Sequence, residues 1–398
     1  MSDGIRIDGA AADDRFARLR LIGWWDQERL ARARVVVIGA GALGNEIVKN
    51  LALLGLRNVF VADRDQIENS NLSRSILFRE RDCGRPKAVV AAERAAEIYP
   101  EIRVQPFAGN IVYDLGQGIY HWADVILGGL DNREARVAIN LAAARAGKVW
   151  IDGAIERLDG VARVFDPATG PCYECTMGEN DWKMLEARRS CALLSRGEME
   201  LGKVPTTPTT ASVIAGIQVQ EAIKYLHGLE TIAGQGFIFD GTHHQSYLVS
   251  YARKADCPAH DADLPAESLP WRASTTRVGD LLERVRSDLG REAVVETGRD
   301  LLASLHCVKC GEDEPVFASL GRITEAQGRC PSCREPRTPS LFHTIDGRRA
   351  GVLDRTLGEI GVPAWDVLGG RFGLDQRFYE LSGDRELVLG RLADDENH

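Results

Sequence analysis

The chain has 398 residues, 49 basic against 58 acidic side chains and a formal charge of −9; 44% of residues are hydrophobic and 27% charged. This composition excludes a largely disordered chain, and an acidic excess spread over both halves makes nucleic acid a poor partner. No apolar run reaches the roughly 20 residues of a membrane helix, and the acidic start MSDGIRIDGAAADD lacks a signal-peptide layout. We therefore expect two or three domains, a cytoplasmic location and no membrane partner.

In chain order, ARVVVIGAG predicts a strand ending in glycines, and ALGNEIVKNLALLG a helix with apolar residues at helical spacing. RNVFVAD is a second strand, RPKAVVAAERAAEIYP a helix and IRVQPFAG a third strand. ADVILGGLD, NREARVAINLAAARAG and KVWIDGA continue as strand, helix and strand. This alternation predicts a Rossmann-like, doubly wound α/β sheet that is mostly parallel. Beyond Gly153 the strands shorten (GVARVFDP, GFIFDG, SYLVSYAR), which adds an antiparallel part, and a long helix runs from about Thr210 to His227. Asp261 to Pro270 has linker composition, and Val278–Leu289 forms an amphipathic helix. The division expected is a nucleotide domain over 1–262, a linker and helix over 263–300, a small cysteine-rich module over 301–340 and a closing segment over 341–398.

Gly39, Gly41 and Gly44 form G-x-G-x-x-G between a strand and a helix, where backbone amides can approach phosphates and the helix N-terminus favours their charge. Alone, the motif fits NAD, FAD or ATP. The loop after the second strand adds Asp63, Asp65, Ser70, Asn71 and Arg74; Lys87 opens the next helix and Asp131 ends the fourth strand. All lie at the carboxyl edge of the sheet, where open α/β folds bind ligands. Asp63 is placed to bind ribose hydroxyls. An arginine, a lysine and a second aspartate converging there suit ATP with magnesium better than a dinucleotide.

GAGALGNEIVKNLALLG, DRDQIENSNLSRSILFR and GRPKA resemble the adenylation domain of ubiquitin-activating enzymes. That wider family includes the bacterial sulfur-carrier adenylyltransferases of the ThiF and MoeB type. The resemblance runs from about Arg15 to His260, and KNLALLG and SNLxR lean towards the ubiquitin-activating branch. It implies ribose binding by Asp63, phosphate binding by Asn71, Arg74 and Lys87, and magnesium on Asp131. Arg18 resembles the arginine that reaches the partner's phosphates in homodimers, although Leu19 replaces the usual glutamine and Arg15 competes for the role. The implied reaction is adenylation of the C-terminal carboxylate of a ubiquitin-like protein.

Cys191, in a loop over 178–209, resembles the cysteine that takes the acyl group as a thioester before a conjugating enzyme receives it. Ten or more residues separate it from the PTTPTT stretch, and Arg188 and Arg189 would favour its thiolate. The alternatives are a sulfur-carrier adenylyltransferase without a thioester step and a catalytically silent scaffold.

Nine cysteines without a secretory signal suggest metal or thiol chemistry rather than disulfides. The family resemblance implies a structural zinc on Cys172, Cys175, Cys257 and His260. Cys307, Cys310, Cys330 and Cys333 point to a second zinc by spacing alone, with 19 residues between the inner pair. Cys83 reads as a packing residue. His243 and His244 read as structural, on opposite faces of a strand. The segment after 340 is expected to recruit a partner.

Overall fold

The computed structural model describes residues 14–130, 132–183, 205–260, 265–324 and 326–397. The first part of the chain runs α1 (Gln27–Arg32), β1 (Arg34–Ile38), α2 (Ala42–Leu53), β2 (Asn58–Ala62), α3 (Lys87–Ile98) and β3 (Arg103–Phe107). It continues with α4 (Gly118–Trp122), β4 (Val125–Gly128), α5 (Arg133–Arg145), β5 (Trp150–Glu156), β6 (Asp159–Phe165), α6 (Pro208–Leu226), β7 (Gln235–Asp240) and β8 (Gln245–Ser250). Its sheet has the order β3-β2-β1-β4-β5-β6-β7-β8. β3 to β5 pair in parallel, and β5 to β8 pair in antiparallel fashion.

β1 and β2 are almost wholly apolar because helices cover both faces of the sheet. On one face Val35, Val37, Val59 and Val61 meet Leu43, Ile47 and Leu51 of α2 and Ile214 and Val219 of α6. On the other, Val36, Ile38 and Phe60 meet Ile119 of α4 and Ile139 of α5. α6 starts where Thr207 caps it, its Oγ1 accepting from Thr210 N (3.3 Å), with Pro208 just inside. Among the described residues no helix is long and apolar enough to cross a membrane.

Residues beyond 265 build a second sheet from β9 (Ala266–Leu269), β10 (Val294–His306), β11 (Asp313–Ser319), β12 (Thr338–Ile345), β13 (Val367–Phe372) and β14 (Asp375–Leu381). Its order is β11-β10-β13-β14-β9, with β12 on β10. α7 (Val278–Leu289) lays Leu281, Leu282 and Val285 onto it, beside Val295, Leu368 and Tyr379. α8 (Arg385–Leu389) follows β14. Three readings are corrected here. The stretch read as a linker carries β9, which completes the sheet beside β14. The divisions at 300 and 340 fall inside β10 and β12, so the cysteine-rich turns extend from strands of the sheet. His243 and His244 sit in the β7–β8 turn, where His243 Nδ1 meets Asp240 Oδ2 at 2.9 Å.

The two parts are docked through buried polar contacts. Asp366 Oδ1 accepts from Gln117 N (2.9 Å), and both Asp366 oxygens accept from Arg299 Nη2 (3.0 and 2.9 Å). Arg299 Nη1 also donates to Val112 O (3.2 Å). Trp365, Leu389 and Leu392 enter the apolar cluster on the α4–α5 face of the first sheet. Loop 108–117 follows the carboxyl end of β3, so this docking flanks the edge that carries the glycine loop.

Candidate nucleotide site

The glycines have separate steric jobs. Gly39 has φ +94°, and a Cβ there would lie 2.5 Å from Gly129 O; one at Gly44 would lie 1.8 Å from Gly39 O. These two let the β1–α2 turn close against β4. A Cβ at Gly41 would meet nothing within 4 Å, so the space in front of the α2 N-terminus is open to a ligand.

The remaining groups are held around that opening. Asp63, just past β2, accepts from Ala40 N (2.6 Å) and Asp65 N (2.8 Å), which ties the glycine turn to the next loop. Burial pushes its carboxyl above the usual range, against the pull of the Lys87 cation and the two N–H donors. Lys87 Nζ, at the start of α3 and 11% exposed, pairs with Asp65 Oδ2 at 2.9 Å. Asn71 Oδ1 accepts from Glu68 N (2.9 Å), and Arg74 Nη1 donates to Ser70 O (2.7 Å), folding the 68–74 turn back on itself. Ser70 Oγ donates to Glu68 (3.1 Å). Thus Gly39, Gly41, Gly44, Asp63, Asp65, Ser70, Asn71, Arg74 and Lys87 lie along linked turns at one sheet edge. Asp131 and Cys191 lie outside the described residues.

Sequence reasoning missed Asn45. It is fully buried in α2; Nδ2 donates to Ala40 O (2.7 Å) and Gly41 O (3.0 Å), while Oδ1 accepts from Leu77 N (2.9 Å). One amide thereby fixes the glycine turn to the loop that carries Arg74. A polar residue on the otherwise apolar face of ALGNEIVKNLAL was the available signal. Also missed was the buried set in which Asp152 joins Arg136 (3.0 Å) and Arg163, with Arg136 donating to Leu130 O just before Asp131. Cys83 is exposed at the end of a short turn, which corrects its reading as a packing residue.

Arg15 and Arg18 differ in their surroundings. Arg15 Nη2 donates to Ile98 O (2.5 Å) and its guanidinium lies 5.2 Å from the Tyr99 ring centroid. Arg18 is exposed.

Two donor sets have the chemistry for a metal: Cys172, Cys175, Cys257 and His260, and Cys307, Cys310, Cys330 and Cys333. In each, the ligand atoms lie within 4.8 Å of one another. In the first set Cys172 Sγ is 3.8 Å from Cys175 Sγ and 3.6 Å from Cys257 Sγ, and Cys175 Sγ is 3.2 Å from His260 Nε2. Ligands about 2.0–2.3 Å from a tetrahedral zinc stand roughly 3.5–3.8 Å apart, so the residues fit such an ion.

A doubly wound sheet with an open glycine turn, and with Asp63, Arg74 and Lys87 gathered at its carboxyl edge, has the layout of a nucleotide-binding α/β protein. Residues 14–259 match the ThiF family, and the chain belongs to it. A sulfur carrier protein adenylyltransferase of Thermus thermophilus is 33% identical over 62% of this chain and 89% of its own length. The catalytic subunit of the NEDD8-activating enzyme E1 of Arabidopsis thaliana is 41% identical over 36% of this chain and 34% of its own length. The crystal structure of E. coli MccB with ATP superimposes with a TM-score of 0.53, covering 64% of this chain and 75% of that one at 24% identity, and shows the shared fold. This chain is an activating enzyme of the adenylyltransferase type.

Proposed function

We propose that the protein adenylates the C-terminal carboxylate of a small ubiquitin-like carrier protein with magnesium-ATP. The observation that carries this reading is the set of turns joining the open glycine loop to Asp63, Asn71, Arg74 and Lys87. Asp63 would hold the ribose hydroxyls, and the amides at the α2 N-terminus the phosphates. Asn71, Arg74 and Lys87 would neutralise charge on the triphosphate. A carrier carboxylate oxygen attacks the α-phosphorus, the bond to the β-phosphate bridge breaks, and pyrophosphate leaves an acyl-adenylate. Magnesium, bound through Asp131, would offset the phosphate charge. Positioning and charge neutralisation supply the catalysis, so no protein nucleophile acts in this step.

The Cys191 thiolate then attacks the acyl carbon, its proton passing to solvent; AMP leaves and a thioester remains for a conjugating enzyme. A homodimer would bring Arg18 to the partner's nucleotide, a role supported by the engagement of Arg15 with Ile98 and Tyr99. Zinc on Cys172, Cys175, Cys257 and His260 would staple the segment after β6 to the segment after β8, with no open coordination position for catalysis. A reducing, cytoplasmic setting is supported by seven of the eight described cysteines grouping in metal-donor sets.

A second reading, adenylation of a sulfur carrier without a thioester, is favoured by the sulfur-carrier adenylyltransferase of which this chain covers 89%. Carrier, enzyme and magnesium-ATP, followed by intact mass measurement without reductant, separate the two. A carrier-sized, thiol-labile adduct that Cys191→Ala abolishes supports the thioester route. Carrier-adenylate without adduct supports the sulfur route, and absence of ATP–pyrophosphate exchange with either carrier class overturns both.

A further inference from the structure

Cys307, Cys310, Cys330 and Cys333 lie beyond residues 14–259, and no step of the proposed reaction uses them. They sit on two turns of the same construction. In the first, Cys307 N donates to Glu312 O (2.8 Å) and Gly311 N to Cys307 O (2.8 Å); in the second, Cys330 N donates to Glu335 O (2.8 Å) and Arg334 N to Cys330 O (2.9 Å). The residue four past each leading cysteine is left-handed, Gly311 at φ +70° and Arg334 at φ +63°. Glycine adopts that conformation freely, whereas arginine does so only when the turn demands it.

The turns face each other. Cys307 Sγ lies 3.6 Å from Cys333 Sγ, and Cys330 Sγ 4.0 Å from Cys310 Sγ. A disulfide needs about 2.05 Å, whereas sulfurs around a zinc at about 2.3 Å stand roughly 3.8 Å apart. Lys309 Nζ also bridges the turns to Glu335 (3.0 Å). Beneath them the apolar cluster consists of Leu302, Leu305 and Ile323, with Val316 and Ala318 partly buried. So few side chains are a weak anchor for the ends of β10, β11 and β12, and a cross-linking ion supplies what the core lacks.

We propose that Cys307, Cys310, Cys330 and Cys333 form a tetrathiolate zinc site that clamps the far ends of β10, β11 and β12, independently of the Cys172–His260 set. The purified full-length protein tests this by elemental analysis and zinc X-ray absorption. Two zinc ions per chain with an average of about 3.5 sulfurs per zinc are expected, the mean of a shell of four cysteines and a shell of three cysteines with one histidine. Substituting Cys330→Ser with Cys333→Ser should remove one zinc and lower the average to about three. One zinc with a four-sulfur shell also supports this site, while ending the assignment of zinc to the other set. One zinc with three sulfurs and a nitrogen in the unsubstituted protein, no bound metal, or iron with a visible colour overturns it, and none of these readings depends on the variant folding.

Discussion

The glycine-loop edge of the first sheet and the cysteine turns of the second hold their polar groups in contrasting ways. At the glycine loop, Asn45, Asp63 and Lys87 are fixed by hydrogen bonds to turns that rest on the large apolar cluster around Val35, Ile47 and Ile214. The cysteine turns are locally shaped by their own backbone, with three buried apolar residues beneath them. One site is carried by its core; in the other, the ligand stands in for the core. The lesson is that removing a ligand should have opposite consequences at the two ends of the molecule.

Metal removal should give the largest effect, because a structural zinc contributes on the order of 10 kcal/mol to a small module. After chelation, hydrogen exchange should lose protection in peptides from β11 and β12 and keep it in those from β1, β2 and β4. Equal loss in both would break the contrast. Next, Asp366→Ala leaves Arg299 without its carboxylate at the junction of the two parts, and breaking a buried pair costs about 3–5 kcal/mol. Urea unfolding would detect it, and a change below about 1 kcal/mol would show that Trp365 and its apolar neighbours alone hold the junction.

At the glycine-loop edge, Lys87→Ala should lower carrier-dependent ATP–pyrophosphate exchange by about 10²–10³-fold, the range seen when one donor to developing charge is removed. The circular dichroism spectrum should not change, since Lys87 Nζ pairs with an exposed carboxylate. The smallest effect is at Glu380. The His121 imidazole, its Nδ1 3.7 Å from Glu380 Oε2, and a hydrogen bond donated by Trp365 Nε1 hold its carboxyl below the usual range. That stabilisation is complete above about pH 4.3 and disappears as pH falls through the depressed value. Glu380→Gln should therefore lower the melting temperature at pH 7 and match the unsubstituted protein once the pH has fallen below the depressed value; a gap that persists in acid would assign the effect to packing.

The parallel sheet was legible in the sequence because RVVVI and NVFVA are apolar at nearly every position, as strands covered on both faces must be. The site was legible where chemistry is tied to a motif, as with Gly39, Gly41 and Lys87. Asn45 was not, because its role comes from meeting Leu77 across a turn rather than from any spacing. β9 was hidden for a related reason: AESL acquires strand geometry only by pairing with Phe378–Leu381, more than a hundred residues later. The division at residue 300 failed because β10 is continuous across it, its bulge between Leu302 and Ser304 interrupting the alternation on which a strand reading depends.

One packing detail bears on how the protein matures. Leu389 and Leu392 share a cluster with Val36, Phe60 and Ile126, and Arg391 N donates to Gln105 on the outermost strand, β3. During synthesis this face of the first sheet stays incomplete until more than 200 residues beyond Met177 have left the ribosome. Its apolar surface is exposed to other chains for that interval. Slow, long-range closure of this kind favours expression at reduced temperature, and a truncation before residue 389 should aggregate even with every nucleotide-site residue retained.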